Sequence, residues 1–242
     1  MGEQDLCHDD HTWLKVAETV LSRPHEEIVE QLGDDLSFAS MRAFHACRAS
    51  DAGVYFREGI LRNNPDRLAA QLTALLDEEP DLAHHRAQVE KLLADQKLFD
   101  RDKGRVYLTA DDKGLVESAG HYLLYGGEWF MCMLGFAGHE ALRKRGVPTM
   151  LQLDLPLSAV LTHERTQLSQ VLLQEWVRIK VNRPDWVPDL DFTFCLRQDV
   201  PPEWLVGHYH PPVVVDAHHG YIKRKTLDPF CPHCRAGAGA EG

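Results

Sequence analysis

Four short stretches of this sequence bring together side chains that can do chemistry. The first, Phe44-His45-Ala46-Cys47-Arg48, sets an imidazole close to a guanidinium. His45 offers a donor and an acceptor, which suits a pair of ribose hydroxyls, and Arg48 offers a planar fork that suits a phosphate. The second couples Arg105-Val-Tyr107-Leu-Thr109 to Glu117-Ser118-Ala119-Gly120-His121-Tyr122. A strand with one tyrosine, followed by a helix with Ser118 and another tyrosine, builds an aromatic wall that can stack a flat heterocycle. The third, Cys231-Pro-His233-Cys234, has the form of half a zinc knuckle, and a closed tetrahedral site needs about four ligands. Cys7 and His11, with His8 between them, can supply the rest, because i, i+4 spacing puts Cys7 and His11 on one helical face. The fourth runs from His208-Tyr-His210 to Asp216, His218 and His219. His-x-His on a strand turns both imidazoles to one face, as a metal-dependent hydrolase would require.

Each stretch also has a plainer reading. His45 can be a half-buried strand residue and Arg48 a surface charge. The tyrosine segments can be ordinary core, Cys231 and Cys234 idle thiols, and the late histidines surface groups. No nucleophile-elbow, dinucleotide-fingerprint or P-loop pattern is present in the sequence.

The elements that must position these groups follow from hydrophobic spacing. Trp13, Leu14, Val16, Ala17, Val20 and Leu21, then Ile28, Val29 and Leu32, predict two helical pieces broken at Pro24. Residues 39–47 predict a half-buried strand, and Asp51 can cap a short helix through Ile60. Leucines at helical intervals predict helices over 66–76 and 82–93, before a polar turn at Asp102-Lys103-Gly104. Residues 105–109 predict a strand, and Leu115 to Phe136 a helix interrupted at Gly126-Gly127. Strands are expected over 149–155 and 191–197, with shorter ones over 204–209 and 213–215. Leu168 to Ile179 fits helix and strand equally. The Gly/Ala-rich tail has nothing to bury and is expected to be disordered. Helices concentrated early and strands late predict an α+β fold.

Taken in order, these pieces resemble the ADP-ribosyltransferase superfamily, which includes poly(ADP-ribose) polymerases, DNA-modifying ADP-ribosyl toxins and RNA 2′-phosphotransferases. FHACR looks like its first-strand His motif, and RVYLTADDKGLVESAGHY looks like its segment of strand tyrosine, Ser-Ala and helix tyrosine. DFTFCLRQDVPPEWL is similar to the strand running into Val-Pro-Pro in the toxin and phosphotransferase branches. The resemblance covers scattered patches between residues 40 and 210.

It implies a split mixed or antiparallel sheet, behind a helical N-terminal half, that grips NAD. His45 would bond the ribose, Arg48 would lie near the phosphates, and Tyr107 and Tyr122 would flank the nicotinamide, with Ser118 beside them. A late-strand carboxylate would steady the oxocarbenium-like transition state. Here the sequence departs from the family pattern and leaves Glu128, after Gly126-Gly127, and Glu175, in LLQEWVRIK, as alternatives, with the shorter Asp191 behind them. The implied activity is NAD-dependent ADP-ribosyl transfer to a protein, nucleic-acid or small-molecule acceptor, in the setting of a toxin or of defence. The alternatives are a metal-dependent hydrolase on the 208–219 histidines and a non-catalytic, zinc-stabilised binding module.

Composition narrows the setting. With 26 Lys+Arg against 37 Asp+Glu among 242 residues, the formal charge is −11, which disfavours extended nucleic-acid binding. No apolar run approaches the ~20 residues that span a bilayer. Six irregularly spaced cysteines and an acidic N-terminus without an apolar core lead to the expectation of a reducing cytoplasm. The expected organisation is a helical segment over 1–38, an ADP-ribosyltransferase-like domain over 39–226 and a CxxC tail over 227–242.

Overall fold

A computed structural model of the chain describes residues 12–95, 102–182, 184–185, 187–188, 190–226 and 231–234. Its centre is a five-stranded antiparallel sheet. The strands are β1 (Ser40–Ala49), β2 (Val106–Thr109), β3 (Val147–Pro156), β4 (Thr193–Leu196) and β5 (Leu205–Tyr209), in the order β4-β2-β1-β3-β5. A separate two-stranded ribbon joins β6 (Val213–Asp216) to β7 (Ile222–Lys225). The ribbon's second strand, IKRK, has no hydrophobic alternation, so the sequence pattern did not announce it.

Apolar side chains cover both faces of the sheet. Ala43, Cys47 and Ala49 of β1, with Leu151, Leu153 and Leu155 of β3, belong to one buried cluster. Phe56 of the short helix α3 (Gly53–Glu58) and Leu168 of α9 (Thr162–Val177) join that cluster. Ala46 and Met150 belong to the other, with leucines of α4 (Pro65–Glu78) and Val89 of α5 (Arg86–Leu93). It also takes in Leu115 of α6 (Lys113–Glu117), Leu123 and Leu124 of α7 (His121–Tyr125), and Met133 and Leu134 of α8 (Glu128–Lys144). Fully burying such a side chain stabilises the fold by roughly 1.5–3 kcal/mol. Local signals set the helix ends. Pro65 opens α4, and the Asn64 side chain accepts from the backbone N–H groups of Asp66 and Arg67.

The first two helices, α1 (Thr12–Leu21) and α2 (His25–Leu36), break at Pro24 as expected. They do not stand apart. Trp13, Ala17 and Val29 share a small core with Leu173 and Val177 of α9. The segment 168–179 that fits either element is therefore helical up to Val177. It lies under α1 and α2, and it has no strong hydrophobic stripe because both neighbours and the sheet bury it from several sides.

The sheet is opened on one side. β1 and β3 pair continuously from Ser40↔Pro156 to Ala49↔Val147. By contrast, β1 and β2 pair only at Phe44↔Thr109. Extending that register would set Ala46 opposite Tyr107. Instead the Tyr107 carbonyl takes the Nδ1–H of His45, at 3.0 Å. The α+β class and the antiparallel sheet are thus as the sequence led one to expect, with β1 standing at the edge of a split.

Candidate active site and a Cys/His corner

A cleft of about 1460 Å³ opens at this split. That exceeds the roughly 300–1,000 Å³ of pockets that hold drug-sized ligands, and the cleft is broadly open to solvent. His45, Arg48, Tyr107, Ser118, Tyr122 and Glu128 all line it.

The His45 ring donates from Nδ1 to the Tyr107 carbonyl, which leaves Nε2 as its acceptor. Burial holds this histidine below its ordinary pKa, so the ring is neutral near pH 7. The Tyr107 hydroxyl donates to Asp102 Oδ1 at 3.0 Å and accepts from Arg105 Nη1 at 3.1 Å. Those two bonds fix the ring as a wall, and burial is the main reason its hydroxyl resists ionisation. Tyr122 is pushed up to about 12, first by burial and then by the nearby Glu128 carboxylate. His121 Nε2 lies 3.4 Å from Glu128 Oε1. Glu128 starts α8 directly after Gly126 and Gly127, whose φ values of 80° and 125° only glycine adopts without strain. The Gly-Gly break thus turns the chain so that the carboxylate faces the cleft.

Four buried side-chain atoms of cleft residues, Arg105 Nε, Thr109 Oγ1, His121 Nε2 and Trp129 Nε1, have no hydrogen-bond partner among the described residues. Nothing in the sequence singled out Trp129.

Two expectations change on inspection. Arg48 lines the cleft, but its guanidinium donates to the carbonyls of Arg145, at 2.6 Å, Leu123, at 3.2 Å, and Arg143. It staples the end of α8 to α7 and is not presented to a phosphate. Glu175 was a candidate only as a strand residue. It lies in α9, is buried, and pairs with buried Arg178 at 3.0 Å. It does not line the cleft. Cys47 does, but burial pushes its thiol up to about 12, which makes it a poor nucleophile.

A second group of side chains forms a corner at the far edge of the sheet. His208 on edge strand β5 and His210, just past its end, face Cys231 and Cys234. One ligand atom from each of the four lies within 4.8 Å of every other, so the group can hold a metal ion. His208 Nε2 is 3.1 Å from Cys234 Sγ and 3.7 Å from Cys231 Sγ, and His210 Nε2 is 3.5 Å from Cys234 Sγ. His210 Nδ1 donates to the Pro148 carbonyl of β3 at 2.8 Å, so its bare Nε2 points at the thiols. Backbone N–H groups of Cys234, Ala52 and His233 outweigh burial and hold the Cys231 thiol below its ordinary pKa. The expected partners Cys7 and His11 lie outside the described residues. The signal for the observed partners was present, as His-x-His on one strand face, but it was assigned to a hydrolytic centre.

That centre is not assembled. His218 and His219 are not among the groups that meet His208 and His210, and both rings lie against His139, whose Nδ1 is 3.0 Å from His219 Nε2. Asp216, fully buried, accepts from the Tyr125 hydroxyl at 2.6 Å and from Arg224 Nε at 2.8 Å.

No family model, curated protein or solved structure matches the chain. Among the described residues, no helix is long and apolar enough to cross a membrane.

Proposed function

We propose that the chain binds NAD in this cleft and transfers its ADP-ribose to an acceptor. One observation carries the reading. The split between β1 and β2 gathers His45, Tyr107, Ser118, Tyr122 and Glu128, from separate elements, around a single opening. These are the groups that resemble an NAD grip in the sequence.

In this reading, His45 Nε2 accepts from a ribose hydroxyl. The rings of Tyr107 and Tyr122 flank the nicotinamide. Glu128, beside His121 and Tyr122, faces the ribose carbon that bears the nicotinamide. The bond from that carbon to nicotinamide breaks, and the electron pair leaves with the ring. An acceptor hydroxyl or amine forms the new bond and loses its proton. NAD and acceptor thus give nicotinamide, the ADP-ribosylated acceptor and one proton. The chain's work is orientation, together with a fixed negative charge beside developing positive charge. Arg48 acts as a positioning residue through the three carbonyls it holds. The net charge of −11 makes a protein or small molecule a better acceptor than extended nucleic acid.

The test is nicotinamide release from NAD by the purified chain, followed over time for wild type and Glu128→Gln. Steady release by the wild type, slowed about 10²–10³-fold in the variant, supports the proposal. Absence of release by the wild type overturns transfer, and equal rates overturn the role of Glu128.

A further inference from the structure

We propose that His208, His210, Cys231 and Cys234 hold one zinc ion as a resident, structural site that fastens the CPHC turn to the edge of the sheet. This inference is independent of the cleft reading.

The distances carry it. Zinc bound at about 2.3 Å to sulfur and 2.0–2.1 Å to nitrogen, in tetrahedral geometry, sets each N···S pair about 3.5 Å apart. Three of the four N···S separations between the histidines and the thiols are 3.1, 3.5 and 3.7 Å, and all four ligand atoms lie within 4.8 Å of one another. Two thiols and two imidazoles make a donor set that suits tetrahedral zinc, and four ligands leave no open position for substrate. The surroundings match a metal site as well. His210 is held in the required tautomer by the Pro148 carbonyl. The two thiols would each release a proton on binding, so two thiolates balance the dication and the site is neutral.

Three pieces of chain meet there. His208 comes from edge strand β5, where backbone groups would otherwise invite further pairing, and His210 directly follows that strand. Cys231 and Cys234 come from the turn after the β6–β7 ribbon. Between the two cysteines, His233 stacks on Phe56 of α3, with centroids 4.6 Å apart and planes 13° from parallel. Residues 231–234 include no Leu, Ile, Val or Phe, so hydrophobic burial alone gives this turn little reason to dock. An ion supplies that reason.

The experiment is elemental analysis of the full chain, purified without chelator, for wild type, Cys7→Ser, Cys231→Ser and His210→Ala, with melting temperature measured alongside. One zinc per chain in wild type and Cys7→Ser, lost in the other two together with a fall in melting temperature, supports the site. A wild type without zinc, or one whose two cysteines are joined as a disulfide, overturns it. So does zinc retained in Cys231→Ser, or lost in Cys7→Ser. If the variants fail to fold, the wild type decides alone. Cobalt exchanged for zinc must show thiolate-to-metal absorption, and both thiols must resist alkylation until the metal is removed. Absent absorption or unprotected thiols overturn the proposal.

Discussion

The cleft and the Cys/His corner lie on opposite sides of α3. Val54, Tyr55 and Glu58 of that helix line the cleft, while Phe56 stacks on His233 at the corner. In the corner, the polar atoms face one another at 3.1–3.7 Å and saturate each other around one point. In the cleft they are tied on one side only. His45 is anchored through Nδ1 and Tyr107 through its hydroxyl, and both, with Tyr122, line the opening. The first arrangement suits an occupant that stays, and the second one that comes and goes.

The strongest way to break this comparison is to find that the cleft's carboxylate is only structural. Glu175 supplies the contrast, because it is buried and ion-paired with buried Arg178 at 3.0 Å. Glu175→Gln should cost about 3–5 kcal/mol in urea unfolding. Nicotinamide release per folded molecule should stay unchanged. Glu128→Gln should do the reverse, with stability within about 0.5 kcal/mol of wild type and the rate sharply reduced. Equal stability losses for the two would mean that Glu128 is one more structural ion.

A smaller effect sharpens the link between the ribbon and the cleft. A Cβ on Gly120 would come 2.1 Å from the Val215 carbonyl oxygen, so β6 or the start of α7 must move. Gly120→Ala should cost about 1–3 kcal/mol and should weaken NAD binding, because His121 and Tyr122 follow directly. Unchanged affinity would show that the ribbon does not set their position.

A further effect is on acid stability. Burial, helped by His219 and His218 and by Arg143, but opposed by Asp216, pulls His139 down to about 4 from its ordinary 6.5. Between those values the unfolded chain binds a proton that the folded chain refuses. Stability from this group is therefore complete above pH 6.5 and is lost as pH falls towards 4. His45 and His121 act in the same direction. Urea midpoints for His139→Phe should fall less between pH 7 and pH 4.5 than those of wild type. An equal fall would assign the acid limb to other groups.

What was legible in the sequence depended on how local the signal was. The break at Pro24, the strand around His45 and the turn at Gly126-Gly127 each follow from a few adjacent residues, and all are present. The place of Glu128 at the cleft was readable because the glycines before it are its neighbours. Arg48 was misread because its three carbonyl partners lie 75 to 97 residues away. The pairing of His208 and His210 with Cys231 and Cys234 was missed for a similar reason. Each half was visible, but only the fold of β5 against the late turn joins them. Residue 175 sat in a stretch whose pattern fits two elements, and packing under α1 and α2 decided for helix.

The central claim is that the split between β1 and β2 is an NAD site. Calorimetric titration of NAD into wild type and His45→Ala, with circular dichroism showing both folded, tests it most directly. The account predicts saturable binding of one NAD per wild-type chain, weakened in the variant by roughly 1–3 kcal/mol for the lost hydrogen bond. No binding to the wild type, or the same affinity in both proteins, would contradict it.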